Sequence, residues 1–295
     1  MNINRSSFEL KKKSKVPYII AVIVLIAILL LSFNVLNRQK KEQQSPFGQA
    51  LKVHYEPTMI GEKNLIEYVN QYIAPDYGLQ LEAVGVPDPV QSNRSVNDGE
   101  FAGTIYQHQW WLKQVSDANG FKLIPTVEVY QWAFGIYSDK YKNIKDMPKG
   151  ATFAVPSDLA NQGQALWLLQ REGIIGLDPK IEPRTARLKD IIANPYQLKF
   201  KEIELLSLAR ALESVDAAIG YVAQFDAGKI PRSKGILFPA APRTFAARLV
   251  IAEKHQHDPV IIKLQQVFAD PRIKTYLETT TDPNVKGILT PVSSH

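Results

Sequence analysis

Two short segments of the 295-residue chain concentrate the side chains suited to contact a ligand. The first, residues 105–111, reads IYQHQWW and lies where a strand-like pattern gives way to a helical one. Aromatic walls with a few placed polar groups are typical of small-molecule clefts, and ligands of open α/β sheets bind beyond the carboxyl ends of strands. We therefore predict that Tyr106 and His108 contact a ligand. Trp111 shares a helical face with Val115, so the alternative is that some of these rings belong to the core.

The second segment, residues 156–166, reads PSDLANQGQAL and leads from a predicted strand into a predicted helix. Free backbone N–H groups and the positive end of the helix dipole suit a carboxylate at such a position. Asn161 and Gln164 are three residues apart, which also predicts a capping box that satisfies the helix's own donors. Both interpretations are compatible, because a cap shapes the loop that a ligand contacts.

Signatures of catalysis and cofactor binding are missing from the sequence. There is no GxGxxG, GxxxxGK[ST], HExxH or GxSxG motif, and the carboxylates show no spacing that indicates acid–base catalysis. His255 and His257 flank a predicted turn, where solvated imidazoles are favoured over a metal site. The chain contains no cysteine, which excludes disulfides, thiolate metal sites and a lipid-modified cysteine. We predict no catalytic residue, no metal and no cofactor, so that the protein is not an enzyme.

The positive charge of the chain is confined to its first residues. The formal net charge is +6, and residues 1–41 carry eight basic side chains against one acidic side chain. The remaining residues therefore have a net charge of −1, which argues against nucleic acid as a partner.

An apolar stretch covers residues 16–36 without a single charge. At ~1.5 Å per residue a helix of this length crosses a hydrocarbon core of roughly 30 Å, and no cleavage site follows it. We predict a cytoplasmic basic tail (1–15), a transmembrane signal anchor (16–36) and a flexible linker (37–50). Five basic residues precede the span and three follow it, which predicts that residues 42–295 lie on the periplasmic side of the inner membrane, in a single-pass topology.

Residues 51–295 alternate between strand and helix patterns. Period-two or β-rich runs predict strands over 51–55, 79–84, 151–155, 198–204 and 217–219, while helical periodicity covers 65–73, 108–119, 161–172 and 207–213. The β-rich run 121–137 contains Pro125, which indicates two extended pieces or an edge strand. This alternation predicts an α/β architecture, which we expect to form two lobes with a cleft between them.

Four segments resemble the NlpA-type family of methionine-binding lipoproteins, the soluble receptors of methionine ABC importers. They are DGEFAGTIYQH (98–108), ATFAVPSDLANQGQALWLLQREGII (151–175), NPYQLKFKEIE (194–204) and ARALESVDAAI (209–219). The resemblance implies a two-lobed periplasmic-binding-protein fold, here preceded by one N-terminal transmembrane helix. Lobe 1 would comprise residues 51–135 and 221–295, and lobe 2 residues 136–220, with crossovers near Ile136 and Gly220.

The resemblance also implies a ligand-binding set, which departs from the family pattern at several positions. Gln164 stands where the family has the arginine that grips the substrate carboxylate, Trp111 where it has a tyrosine, and Pro89 where it has another tyrosine. The segment 220–224 replaces an asparagine-bearing one. The predicted ligand-binding residues are Tyr106, His108, Trp111, Asn161, Gln164 and Tyr221.

The expected function is that of a membrane-anchored solute-binding protein of an ABC importer. It would capture methionine or a related amino acid derivative and deliver it to a permease driven by an ATPase. The departure at Gln164 predicts weak methionine binding, or a ligand whose acid group is absent or masked. The alternatives are a ligand sensor or envelope binding module on the same fold and, in third place, an enzyme.

Overall fold

A computed structural model describes residues 25–26, 28–33 and 47–293 of the chain. The chain divides by its internal contacts into two units, residues 1–48 and 49–295. In the first unit the described residues 25–26 and 28–33 are helical and exposed. The predicted tail 1–15 and most of the predicted span 16–36 lie outside the described residues. Within the described part of the chain, no helix has the length and apolar character needed to cross a membrane.

The second unit alternates strands and helices, as the sequence pattern predicts. Its strands are β1 (Leu51–Tyr55), β2 (Leu81–Gly85), β3 (Gly103–His108), β4 (Leu123–Trp132), β5 (Phe134–Tyr137), β6 (Thr152–Pro156), β7 (Gly176–Leu177), β8 (Ile191–Ala193), β9 (Lys199–Ile203), β10 (Ala217–Tyr221), β11 (Gly235–Leu237), β12 (Ala247–Ala252) and β13 (Leu289–Thr290). Its α-helices are α1 (Ile60–Tyr72), α2 (Pro89–Asp98), α3 (Gln109–Asn119), α4 (Leu159–Arg171), α5 (Leu208–Ala211), α6 (Val222–Ala227), α7 (Pro259–Phe268) and α8 (Pro271–Thr279).

Six strands form the first sheet in the order β13-β4-β12-β3-β1-β2. The strands β1, β2 and β3 are parallel, while β12 runs antiparallel to both β3 and β4. Helix α1 follows β1 and buries Leu65, Ile66 and Val69, which share one face at helical spacing. Parallel strands place their carboxyl ends at one edge, so the loops after β1, β2 and β3 lie together.

Five strands form the second sheet in the order β11-β5-β10-β6-β9, and β7 pairs with β8 in a separate two-stranded sheet. The strands β10, β6 and β9 are parallel. A cluster of buried residues on this sheet includes Tyr137, Leu208, Leu212 and Phe225, which packs the short helices α5 and α6 against the strands.

The β-rich run 121–137 forms two extended pieces, in agreement with one of the two predicted alternatives. A single residue, Ala133, separates β4 in the first sheet from β5 in the second. The return to the first sheet differs from the prediction. Because β11 pairs with β5, the chain is still in the second sheet at Leu237, and strand pairing places the return between Leu237 and Ala247 instead of near Gly220. The division into two lobes remains a prediction.

The ends of helices α3, α7 and α8 differ in how their backbone groups are capped. Gly120 ends α3 with φ of 71°, a left-handed conformation that glycine adopts without strain. Asp270 caps α8 by accepting a hydrogen bond from the Arg272 N–H. Asp258 stands at the N-cap of α7 before Pro259, but its side chain accepts no capping hydrogen bond, because its carboxylate accepts from the His255 ring at 2.7 Å.

Candidate functional site

A cleft opens where the carboxyl ends of parallel strands from both large sheets meet. Loops after β1, β2 and β3 line one side, and loops after β6, β9 and β10 line the other. The cleft has a cavity volume of about 190 Å³, which is smaller than the about 300–1,000 Å³ usual for small-molecule sites. Its lining residues are Glu56, Met59, Glu62, Pro87, Pro89, Tyr106, Gln107, His108, Trp111, Trp132, Ser157, Asp158, Asn161, Glu204, Leu205, Leu206, Tyr221 and Gln224.

Aromatic rings form much of the wall. The Trp132 ring packs against His108 with a centroid separation of 6.4 Å and against Tyr221 with a separation of 5.4 Å. The Tyr106 hydroxyl donates to the Pro89 carbonyl at 2.8 Å, which holds that ring in place. These rings come from both sheets, so the aromatic wall is continuous across the cleft.

His108 links the two sides of the cleft. It is 2% exposed and caps α3, because its Nδ1 accepts the Trp111 N–H at 3.2 Å. An accepting Nδ1 assigns the ring proton to Nε2, which lies 3.4 Å from Oδ1 of Asn161 and donates to it. Burial lowers the pKa of His108 to about 4, so the imidazole is neutral at pH 7.

Asn161 is oriented by the true cap of α4. The Asp158 carboxylate accepts from the Asn161 backbone N–H at 2.9 Å and from its Nδ2 at 3.1 Å. The predicted capping box of Asn161 and Gln164 is therefore wrong, because Asp158 lies at the N-cap and the helix begins one residue later. The Asn161 oxygen is left to accept from the Tyr221 hydroxyl at 2.8 Å.

Gln164 lies behind the cleft wall, not in it. The side chain is 1% exposed, and its Oε1 is 2.9 Å from the Tyr221 hydroxyl oxygen. A hydroxyl has one proton, which cannot serve both Gln164 and Asn161. The opposite orientation of the Gln164 amide, with Nε2 donating to the Tyr221 oxygen, satisfies all three groups. The structure thus brings five of the six predicted residues to the cleft, and contact with a ligand stays a prediction for each.

A buried acid beneath the aromatic wall was missed by the sequence analysis. The Glu62 carboxyl accepts from Trp132 Nε1 at 3.1 Å and from the Glu56 N–H at 3.0 Å, and it lies 2.8 Å from the Tyr130 hydroxyl. Burial raises its pKa to about 8. A signal was present: Glu62 shares the i, i+3, i+4 spacing of the apolar face formed by Leu65 and Ile66.

Metal binding has no support in the described part of the chain, where no group of three or more His, Cys, Asp or Glu side chains has the geometry to hold an ion.

Comparisons with known proteins agree on one family. The model of the family described as NlpA lipoprotein matches residues 34–288. The methionine-binding lipoprotein MetQ of Bacillus subtilis is 33% identical over 221 residues, which cover 73% of this chain and 79% of that protein. Lipoprotein 28 of Escherichia coli K12 is 30% identical over 223 residues, covering 74% and 81%.

Solved structures show the same fold. A nutrient binding protein from Burkholderia cenocepacia, bound to methionine, matches with a TM-score of 0.70 and 28% identity, covering 82% of this chain and 99% of that one. A putative methionine-binding lipoprotein from Bacillus subtilis matches with a TM-score of 0.73 and 28% identity, covering 83% and 98%. These matches confirm the α/β fold of periplasmic binding proteins.

Proposed function

The chain belongs to the NlpA lipoprotein family, and from this membership we propose that it is the solute-binding protein of an ABC importer. It captures methionine or a related small molecule in the cleft and delivers it to a permease driven by an ATPase. The observation that carries this proposal is the cleft itself, which joins the carboxyl ends of both sheets under an aromatic wall. Family membership also confirms the prediction that the chain is not an enzyme.

Two relatives support methionine or a similar compound as the ligand. One is named as a methionine-binding lipoprotein, and another was solved with methionine bound. Tyr106, His108 and Trp111 supply the apolar and aromatic surface that suits a small amino acid side chain.

Capture proceeds by closure of two lobes around the ligand. In this proposal the lobes follow the two large sheets, which Ala133 joins on the outward path and residues 238–246 on the return. Contacts such as that between His108 and Asn161 cross from one side to the other, so a ligand between the sides replaces or extends them.

Attachment to the inner membrane is proposed to run through residues 16–36, with the binding domain in the periplasm. A tether raises the local concentration of the receptor at the permease, so weak docking suffices. A reporter that is active only outside the cytoplasm, fused at the C-terminus, should be active and remain in the membrane fraction. Activity of a cytoplasm-only reporter, or release of a shortened protein, contradicts this topology.

Ligand binding is tested with a thermal-shift panel of amino acids and their derivatives on the purified full chain, with mass spectrometry of any co-purified compound. We expect at least one compound to raise Tm and to be recovered unchanged. Absence of any stabilising compound contradicts the proposal, and recovery of an altered compound favours an enzyme.

Substitutions of the adjacent residues Trp110 and Trp111 form a matched pair that tests whether the ligand binds in this cleft. Trp111 lines the cleft, whereas Trp110 packs under the Arg184 guanidinium at 3.6 Å and is not among the lining residues. Trp111→Leu should weaken binding of the compound identified by the panel, while Trp110→Leu should leave it within twofold. Equal effects of the two substitutions contradict the location of the site in this cleft.

A further inference from the structure

The side chain of Gln131 lies where the outward path leaves the first sheet. Gln131 belongs to β4, two residues before Ala133, and is 2% exposed. Both ends of its amide are hydrogen-bonded: Nε2 donates to the Ala241 carbonyl at 2.7 Å, and Oε1 accepts the Ser293 N–H. We call these two hydrogen bonds the Gln131 clamp. Because Ala241 belongs to the return path and Ser293 to the C-terminal segment, one buried side chain ties three separate segments together.

The return path is held from opposite sides at two neighbouring carbonyl groups. The Ala240 carbonyl accepts from the Arg171 guanidinium at 3.3 Å, and Arg171 is the last residue of α4, the helix that follows β6 of the second sheet. The Ala241 carbonyl accepts from Gln131, which belongs to the first sheet. The change from one side to the other therefore falls at the link between Ala240 and Ala241.

Two prolines restrict the backbone around this link. Pro239 and Pro242 are buried, whereas Ala240 between them is exposed. The ring of each proline fixes its φ angle, and Ala241, which precedes Pro242, is restricted to extended conformations. Ala240 is therefore the residue between the two prolines whose backbone dihedrals are least restricted, and rotation of the return path is concentrated there.

We propose that Gln131 is a positioning residue of the hinge, which confines the pivot of the return path to Ala240 by holding Ala241 and the C-terminal segment against β4. The inference rests on the proposed closure of two lobes. Without the Gln131 clamp, more backbone dihedrals take part in the opening motion, so the open state gains conformations. The closed state gains fewer, because the His108 and Asn161 side chains make contact across the cleft. Loss of the clamp therefore shifts the population toward open forms and weakens ligand binding.

Distances between two spin labels test the proposal without any ligand. The chain contains no cysteine, so Ala118→Cys and Glu213→Cys, at exposed positions on α3 and after α5, carry the labels. Pulsed electron paramagnetic resonance of the full chain then gives the distribution of the distance between them. We expect Gln131→Leu to broaden this distribution, whereas Gln71→Leu, on the exposed face of α1, should leave its width unchanged. Equal widths in Gln131→Leu and the wild type overturn the inference.

Two further variants separate the Gln131 clamp from a general loss of stability. A chain that ends at Val292 loses only the Ser293 contact and should broaden the distribution less than Gln131→Leu does. Gln131→Glu keeps an acceptor for the Ser293 N–H, but an ionised carboxylate has no proton to donate to the Ala241 carbonyl. Protonation restores this donor, so Gln131→Glu should be broader than the wild type at pH 8 and equal to it at pH 5. The same excess width at both pH values overturns the assignment of the contact.

Titration of the labelled chain with methionine separates this inference from the function on which it rests. We expect methionine to shift the distance between the labels in the wild type, and its Kd to rise at least about fivefold in Gln131→Leu, mainly through faster dissociation. A wild-type distance that methionine leaves unchanged contradicts closure on this ligand, while a broader distribution in Gln131→Leu still supports the Gln131 clamp. A normal shift together with equal widths and equal Kd values overturns the clamp and leaves the proposed function intact.

Discussion

The buried carboxyl of Glu62 makes the stability of the protein depend on pH in a predictable direction. The Tyr130 hydroxyl lies 2.8 Å from Glu62 and 2.7 Å from the Ile105 carbonyl. The hydroxyl has one proton. If that proton goes to the carbonyl, the contact with Glu62 requires a proton on the carboxyl group. The geometry therefore favours a protonated Glu62, in agreement with its pKa of about 8, which is raised by burial.

The sign follows from proton linkage. The pKa of Glu62 rises on folding from 4.5 to about 8, so its stabilising contribution is present below pH 4.5 and is lost as the pH rises to about 8. The slope is about 1.4 kcal/mol per pH unit, or about 2 kcal/mol between pH 6.5 and 8. Burial lowers the pKa values of His54 and His108 from 6.5 to about 4, so their contribution is present above pH 6.5 and is lost toward pH 4. These three groups together place maximal stability near pH 6.5.

Urea denaturation of the full chain at pH 6.5 and pH 8 tests this reasoning, with Glu62→Gln as the variant. Glutamine does not titrate, so the variant should lose at least about 1 kcal/mol less than the wild type between the two pH values. The amide introduced by Glu62→Gln has only one oxygen, so it leaves either the Trp132 Nε1–H or the Glu56 N–H without an acceptor at both pH values. The quantity compared is therefore the change in unfolding free energy between the two pH values and not its absolute value. Glu67→Gln, on the exposed side of the same helix, should behave like the wild type. Equal pH dependence of wild type and Glu62→Gln refutes the assignment of the proton.

Three further substitutions probe the two sides of the cleft. His108→Ala removes the cap of α3 and the link to Asn161, and should cost about 1–2 kcal/mol in urea denaturation and weaken ligand binding; His108→Asn should recover the cap but not the link. Gln164→Arg places an unpaired charge behind Tyr221 at a position that is 1% exposed, and should lower the free energy of unfolding in urea by at least about 1 kcal/mol; unchanged stability contradicts the buried position of this side chain. Asp158→Ala removes the cap of α4 and frees the Asn161 amide, so it should lower the free energy of unfolding in urea by about 1 kcal/mol and weaken ligand binding. An unchanged free energy of unfolding contradicts the role of Asp158 as the cap.

Local patterns predicted much of the second unit, because strands and helices with one buried face leave periodic signals. Leu51 and Val53 are buried on either side of the exposed Lys52, and α1 buries a face at helical spacing. The sequence pattern did not predict β12 as a strand, although β12 lies between β3 and β4 in the first sheet. Apart from Arg248 its residues Ala247–Ala252 are apolar and buried, so they show no alternation, and its partners are more than a hundred residues away.

The residues of the candidate site at strand ends could be predicted from the sequence, whereas the residues whose positions depend on packing could not. The place of Tyr106 and His108 in the cleft was predicted from the junction between strand β3 and helix α3. The orientation of Gln164 is set by its contact with the Tyr221 hydroxyl, which comes from a strand more than fifty residues away and which no local pattern predicts. Glu62 was missed because its partners Tyr130 and Trp132 lie about seventy residues away in sequence, and only their contact makes an acid acceptable in the core.

The single residue between the two large sheets has a mechanical consequence. The N–H of Ala133 donates to the Ile288 carbonyl at 2.8 Å, and its own carbonyl accepts from the Val222 N–H at 3.0 Å. Rotation about the Ala133 backbone dihedrals therefore strains or breaks one of these hydrogen bonds. A movement of β4 relative to β5 thus also affects the segment at Ile288 and the start of α6 at Val222. Because α6 carries Gln224, which lines the cleft, the proposed closure of the two lobes would couple the cleft to this junction. In that proposal the opening angle of the cleft depends on three segments and not on one flexible bond.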